Sequence, residues 1–367
     1  MDQNNIAQTT VSLKSDDAIE TAVLSEIKSL RDKIESAQTP PELKTKVSVM
    51  LDRLERSARM KSYGEEFEKV SHYIDWVTSL PWEKKTEDVL DLPHTKEILD
   101  KHHYGLGDVK ERMLEYVSIL KLQHAKDPGG RVKAPILLLV GLVGTGKTTF
   151  AYSLAEALGR KIIRVPFGGM GSARDLRGQS RLHLESEPGA IIKGLRQSGV
   201  KNPIMLLDEI DRVAEDARMD IMGVLVELLD PGQNYAFVDH YLDFPFDLSE
   251  VLFIATANNT RGIATAVYDR LEQIDMPSYT DDEKIHIARD YLMPQALDDA
   301  GLSKENLVVD EAVWPNVVRP LGFDSGIRTL QRTIKNMCGK VAKEIVEKGT
   351  NQVIVNAENV KRYLPQY

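Results

Sequence analysis

Apolar residues near the start of the chain recur at helical spacing. From Asp17 onward Ile19, Val23, Ile27, Leu30 and Ile34 follow at intervals of four, four, three and four, the stripe of an amphipathic helix. Pro40-Pro41 ends it. A second stripe carries Leu43, Val47, Leu51 and Leu54, and a third carries Phe67, Val70, Ile74 and Val77 before Pro81. The spacing is not a sustained heptad, so these helices are expected to pack within the chain, with a partner surface or coiled-coil seam as the alternative. A charged, proline-bearing connection over 82–94, a short helix and the turn Tyr104-Gly105-Leu106-Gly107 follow. A helix from 108 to about 121 has Val109, Met113, Tyr116, Val117 and Leu120 on one face, and Pro128-Gly129-Gly130 leads on from it. The pattern then changes period. An apolar run over 135–140 precedes a helical segment with Phe150, Leu154 and Leu158 that stops at Gly159, and further apolar strands are expected at 162–165, 204–207 and 251–255 with helices between them. Such alternation implies an α/β fold with a parallel sheet covered on both faces and a ligand at the carboxyl ends of its strands. Beyond Pro277 helices dominate again, near 281–298, 311–319 and 326–348, with short apolar runs at 307–309 and 353–355 that can pair as a ribbon.

The length of 367 residues exceeds what one hydrophobic core supports, so two or more domains are expected. The pattern divides the chain into a mobile leader over 1–15, a helical neck over 16–80, an α/β unit over 81–280 and a mostly helical unit over 281–367. A hydrophobic share of 42% with 28% charged residues is that of a globular protein. The net charge of −9 implies no general attraction to nucleic acid or anionic lipid. Cys338 is the single cysteine, which excludes an internal disulfide and a cysteine-rich metal site; its neighbours Ile334, Met337 and Val341 mark it as a core thiol. The polar N-terminus has no secretory h-region, and no apolar run is long enough to span a bilayer. A cytoplasmic setting without membrane contact is therefore expected.

The stretch 141–148 reads G-x-x-x-x-G-K-T between a strand and a helix, the context of a phosphate loop. Glycines let backbone N–H groups converge on phosphate oxygens, and the helix N-terminus adds partial positive charge. The expected nucleotide contacts are Gly141, Gly144, Thr145, Gly146, Lys147, Thr148 and Thr149. Lys147 would reach the β and γ phosphates, and the Thr148 hydroxyl would take a Mg²⁺ position. The strand at 204–207 ends in Asp208 and Glu209. With a phosphate loop upstream, Asp208 would hold Mg²⁺ and Glu209 would polarise the attacking water; alone, two such acids also form a solvated turn. The next strand ends at Asn258 and Asn259, where an amide can orient that water or simply form a turn. No Asn-Lys-x-Asp signature follows, which argues against a GTPase.

The order of phosphate loop, Leu-Leu-Asp-Glu-Ile-Asp (206–211), Phe-Ile-Ala-Thr-Ala-Asn-Asn (253–259), Tyr268-Asp269-Arg270 and Gly326-Ile327-Arg328 resembles the AAA+ ATPases, and specifically the ATPase module of Lon proteases. The similarity extends to Tyr73-Ile74-Asp75-Trp76, Leu80-Pro81-Trp82, His103-Tyr104-Gly105-Leu106, Phe167-Gly168-Gly169, Leu229-Asp230-Pro231 and Asp239-His240-Tyr241, and covers about 42–364. The resemblance implies that the last unit, 281–367, is a helical lid and that the chain binds and hydrolyses ATP with Mg²⁺ as its metal cofactor. It also implies that Asn258 is sensor 1, Arg328 sensor 2 and Arg270 an arginine finger serving a neighbouring subunit in a hexameric ring. Tyr104, Gly105 and Leu106 match the turn beside the adenine, although Tyr104 can equally brace the first helix.

Three departures modify the expectation. The sequence ends where the peptidase domain would begin, so a peptidase would act as a separate partner or belong to a longer protein. Of the family's N-terminal region, only the helical neck behind a short leader is expected in this sequence. At the position of the aromatic residue that grips an unfolded polypeptide stand His183 and Leu184, a smaller and partly polar pair. Leu142-Val143 also replaces the prolines usual in the phosphate loop, which changes stiffness rather than phosphate contacts. A ring-forming ATPase that pulls on polypeptide is the expected function; the alternatives are the ATPase part of a split protease and a nucleotide-gated scaffold.

Overall fold

A computed structural model describes residues 21–60, 64–127, 134–183, 185–319 and 326–365. The expected leader, Ile19, the Pro128-Gly129-Gly130 link and Leu184 fall outside them. The opening helices are α1 (21–36), α2 (Pro41–Arg59) and α3 (Gly64–Ser79). Pro41 occupies the first turn of α2, where a missing N–H costs nothing. The predicted stripes point inward: Ile34, Leu43, Val47, Leu51, Leu54, Ile74 and Val77 have no exposed surface. Helix α4 (Leu92–His102) is capped by the Asp91 carboxylate, which accepts from the His94 N–H, and α5 (Gly107–Lys126) follows.

Next come β1 (Ile136–Val140), α6 (Lys147–Leu158), β2 (Ile162–Pro166), α7 (Arg174–Arg177), α8 (Ala190–Ser198), β3 (Ile204–Asp208) and α9 (Arg218–Leu228). A hairpin of β4 (Phe237–Asp239) and β5 (Phe244–Phe246) precedes β6 (Leu252–Ala257), α10 (Thr265–Tyr268) and β7 (Leu271–Asp275). Five parallel strands pair in the order β2-β3-β6-β1-β7. The three anticipated strands after the first are present, and β7 is an addition. It is an edge strand reading Leu-Glu-Gln-Ile-Asp with only Ile274 buried, so no apolar run announces it.

Alternate residues of each central strand feed opposite faces. Leu138, Met205, Leu207 and Phe253 join a core that is continuous with the opening helices, whereas Leu137, Leu139, Leu206 and Ile254 pack against α5 and α6. The C-terminal part has its own core, containing Trp314, Leu330, Ile334 and Cys338. It consists of α11 (Asp281–Ile287), a π-helical turn over Ala288–Leu292, α12 (Met293–Asp299), β8 (Leu307–Val309), α13 (Trp314–Val318), α14 (Arg328–Lys348), β9 (Val353–Val355) and α15 (Val360–Tyr363). Strands β8 and β9 pair in parallel, with α14 lying between them in sequence. Burial pushes the Cys338 thiol up to about 11, as suits a core thiol. Among the described residues, no helix is long and apolar enough to cross a membrane.

Candidate functional site

The loop after β1 is held at the carboxyl end of the sheet, where the Gly141 N–H donates to the Ala257 carbonyl of β6. Gly144 and Gly146 adopt φ of +86° and +94°, open to glycine at no steric cost. Gly146 precedes α6 without a side-chain cap, and the first N–H groups of a helix have no intrahelical acceptor. Lys147 is 7% exposed and donates to the Gly141 and Leu142 carbonyls at 2.6 and 3.0 Å and to Asn258 Oδ1 at 3.1 Å. Burial lowers its pKa, while Asp211 and Glu209 work the other way. The Thr148 hydroxyl lies 3.3 Å from Asp208 Oδ1, and the Thr149 hydroxyl donates to the Gly146 carbonyl.

Asp208 ends β3 almost fully buried. Its Oδ1 accepts from the Thr256 hydroxyl at 2.6 Å, and its Oδ2 lies 2.7 Å from both Nε and Nη2 of Arg164 on the adjacent β2. Glu209 takes the left-handed conformation, φ +59°, and its N–H donates to Thr256 Oγ1. That turn carries the chain away from the strand and leaves the carboxylate on the cleft wall. Asp211 Oδ2 accepts from the Asn258 N–H, the Asn259 N–H and the Asn259 amide. Asn258 Oδ1 faces Lys147, and its buried Nδ2 has no partner among the described residues. A buried donor without an acceptor costs stability, and a phosphate oxygen or water at this point would satisfy it.

The start of α14 closes over the loop. The Ile327 N–H donates to the Gly144 carbonyl at 3.0 Å, and a Cβ on Gly326 would stand 2.3 Å from the Val143 carbonyl oxygen. This close approach brings Arg328 to the site. Lys147, Thr148, Asp208, Glu209, Asn258 and Arg328 thus line the polar end of one cleft of about 540 Å³, together with Gly144, Gly146 and Thr149. His103, Tyr104, Tyr152, Ile287, Tyr291 and Ile327 line its more apolar end. The Tyr104 ring stacks on His286 of α11, centroids 5.1 Å apart. His103 stacks on Phe150 at 3.7 Å and meets Ser153 Oγ at 2.9 Å; burial, then Lys110 and His102, brings its pKa down to about 3.

Other expected residues lie off the cleft wall. Gly141 and Thr145 shape the loop from within, Thr145 fully buried with its hydroxyl on the Leu142 carbonyl. The Leu106 side chain belongs to the core beneath the sheet, and Gly105 faces Glu283. Arg270 pairs with Asp230 at 3.2 Å and donates to the Ala266 carbonyl. His183 sits in a turn on a loop whose ends meet at Gly178 and Gly189, pinned where Asp239 Oδ2 accepts from the Gly189 N–H; beside it Leu182 is 90% exposed. Residues not singled out from the sequence include Arg164, Asp211, Thr256 and His103. Asp211, Thr256 and His103 stand inside the quoted motifs, so their positions carried a signal. Arg164 carried none, because only strand pairing puts β2 beside β3.

Thr148 and Asp208 suit a Mg²⁺ that arrives with phosphate oxygens and keeps most of its water, since among the described residues no three His, Cys, Asp or Glu side chains form a cage. The family model for the ATPase family associated with various cellular activities (AAA) matches residues 137–278, and that for the Lon protease AAA+ ATPase lid domain matches 298–354. Lon protease 2 of Thermus thermophilus is 44% identical over 345 residues, 92% of this chain and 42% of that protein. The Lon proteases of Syntrophomonas wolfei and Bacillus thuringiensis are each 42% identical, over 93% and 91% of this chain and 41% of theirs. The chain therefore spans about two fifths of the length of the curated relatives it matches. Since the matched AAA segment contains the loop, the strand-end acids and Asn258, and the matched lid segment contains the helix that docks on the loop, the chain belongs to the AAA+ ATPases of Lon type.

Proposed function

We propose that this chain is an ATP-hydrolysing module that assembles in a ring and pulls on polypeptide. The observation that carries the hydrolysis is the convergence of Lys147, Thr148, Asp208, Glu209, Asn258 and Arg328 on one cleft from separate parts of the chain. ATP places its phosphates along the 141–148 loop and its base toward Tyr104 and Tyr152. Thr148, with Asp208 behind it, would hold Mg²⁺, which when bound would supply charge neutralisation at the phosphate oxygens. Glu209 takes a proton from water in line with the γ-phosphate, Asn258 holds that water from the other side, and Lys147 and Arg328 stabilise the charge that develops. Arg270 is off its own cleft, which supports its serving the site of a neighbouring copy. The exposed Leu182 beside His183, on a loop pinned at both ends, supports a grip on extended chain. The lid rests directly on the phosphate loop, so a change at the phosphates moves it. Proteolysis is proposed only as a joint act, with this module pulling and a peptidase site outside these residues cutting.

Steady-state ATP hydrolysis over a range of protein concentrations tests the proposal. Specific activity should rise with concentration and respond to an unfolded polypeptide. Glu209→Gln should retain nucleotide binding while losing hydrolysis by on the order of a hundredfold or more, and Arg270→Ala should be inactive at every concentration. Wild-type rates in both variants would sink the hydrolytic assignment, and a rate indifferent to concentration and polypeptide would remove the ring and the pulling.

A further inference from the structure

We infer that Arg164 is a positioning residue for the metal-binding acid, a clamp that neutralises Asp208 and offers only one of its oxygens to the metal side of the cleft. The inference rests on the nucleotide site proposed above. Arg164 lies on β2, paired in register with Leu206 of β3, so its side chain emerges beside the end of β3 where Asp208 stands. Both Nε and Nη2 reach Asp208 Oδ2 at 2.7 Å. Oδ1 points the other way, to the hydroxyls of Thr256 at 2.6 Å and Thr148 at 3.3 Å. Among the described residues, Arg164 serves one oxygen and the two threonine hydroxyls the other, so the two oxygens have different duties. One is tied to a half-exposed guanidinium that does not line the cleft. The other faces the threonine that would ligate Mg²⁺.

Two consequences follow with opposite signs. The guanidinium offsets part of the carboxylate charge that a divalent cation on the Oδ1 side would see, so it weakens the attraction of the site for Mg²⁺. It also restrains the carboxylate plane, since Arg164 holds Oδ2 while the Thr256 hydroxyl holds Oδ1 from the other side. Loss of the clamp should leave a more negative but less ordered acid: Mg²⁺ binds more tightly and hydrolysis slows. A residue that merely supports the fold would weaken both.

The test uses the full chain and a fluorescent ADP analogue, titrating Mg²⁺ at fixed nucleotide and reading bound fluorescence, with hydrolysis of ATP measured in parallel. Arg164→Gln and Arg164→Ala should lower the half-saturating Mg²⁺ on the order of three- to tenfold, as a partly exposed and screened unit charge would, while kcat falls. Arg164→Lys, which restores charge without the fork, should restore the wild-type Mg²⁺ midpoint and only part of kcat. Thermal melting of each variant establishes that it is folded. A midpoint that rises or stays put in folded Arg164→Gln overturns the clamp. Absence of any nucleotide binding by the wild-type chain would instead overturn the proposed nucleotide site.

Discussion

His103 shows how one buried side chain becomes a pH liability. It is 5% exposed between Phe150 and Ser153, and its folded pKa of about 3 lies below the ordinary imidazole value near 6.5. Above pH 6.5 neither the folded nor the unfolded state holds the extra proton, and stability is indifferent to pH on its account. Between 6.5 and about 3 the unfolded chain binds a proton that the folded chain refuses, so stability falls as pH falls, by up to about 1.4 kcal/mol per pH unit. Urea unfolding at pH 7.5 and 5.5 should show that loss in the wild type and a smaller one in His103→Gln, whose amide still reaches toward Ser153. Equal losses in both would show that other groups set the acid limit. Lys147 is the contrasting case: burial, with Arg328, lowers its pKa, and three neighbouring carboxylates, Asp211, Glu209 and Asp208, oppose the shift.

At the scale of elements, the decisive contact is between the phosphate loop and the start of α14. Two glycines meet there, Gly144 with φ +86° and Gly326, and neither tolerates a side chain: a Cβ on Gly144 would stand 3.2 Å from Gly326 Cα, and one on Gly326 would stand 2.3 Å from the Val143 carbonyl oxygen. Gly326→Ala should push the helix off the loop and withdraw Arg328. We expect weaker nucleotide binding by roughly tenfold and a larger loss of hydrolysis, since misplacement by about 1 Å at a catalytic group costs about a hundredfold. A calorimetric nucleotide titration checks the first and a steady-state assay the second; unchanged values in both would mean that the lid position does not govern the site. Elsewhere the predicted elements are present where their apolar patterns were strong. Edge strand β7 had no such pattern, because a strand with one free edge and a half-exposed face does not need one.

Across the whole molecule the three cores are unequally joined. The opening helices share a core with one face of the sheet and are tied to it further by the Tyr73 hydroxyl, which donates to the Leu242 carbonyl, and by Arg181 over the Tyr73 ring at 3.9 Å. The C-terminal core stands apart and meets the core under the sheet through Leu292 and Ile327. Trp76 and Trp82 pack in the first core and Trp314 in the last. In a Trp76→Phe/Trp82→Phe variant, Trp314 fluorescence should report a urea midpoint below that of far-UV circular dichroism. ATP with Mg²⁺ should draw the two together, because a ligand bound between the lid and the sheet stabilises their joined state. Coincident midpoints without nucleotide would show that the molecule unfolds as one unit.

The sequence by itself determined the elements and the chemistry of the loop. Apolar period is a local property, so it gave the amphipathic helices and the central strands to within a few residues. Fixed spacing placed glycines, a lysine and a threonine in one turn, and a strand ending in Asp208-Glu209 after it. The sequence also named Asn258 and Arg328, about 110 and 180 residues beyond the loop, through the order of motifs, and the cleft brings both to Lys147. Only the tertiary structure decided which groups hold these residues in place. Arg164 meets Asp208 because β2 pairs with β3, Asp211 orients Asn258 because β3 pairs with β6, and Gly326 fits because α14 abuts the loop. Strand order and helix docking arise from contacts distant in sequence, and local spacing contains no record of which residues they will bring together.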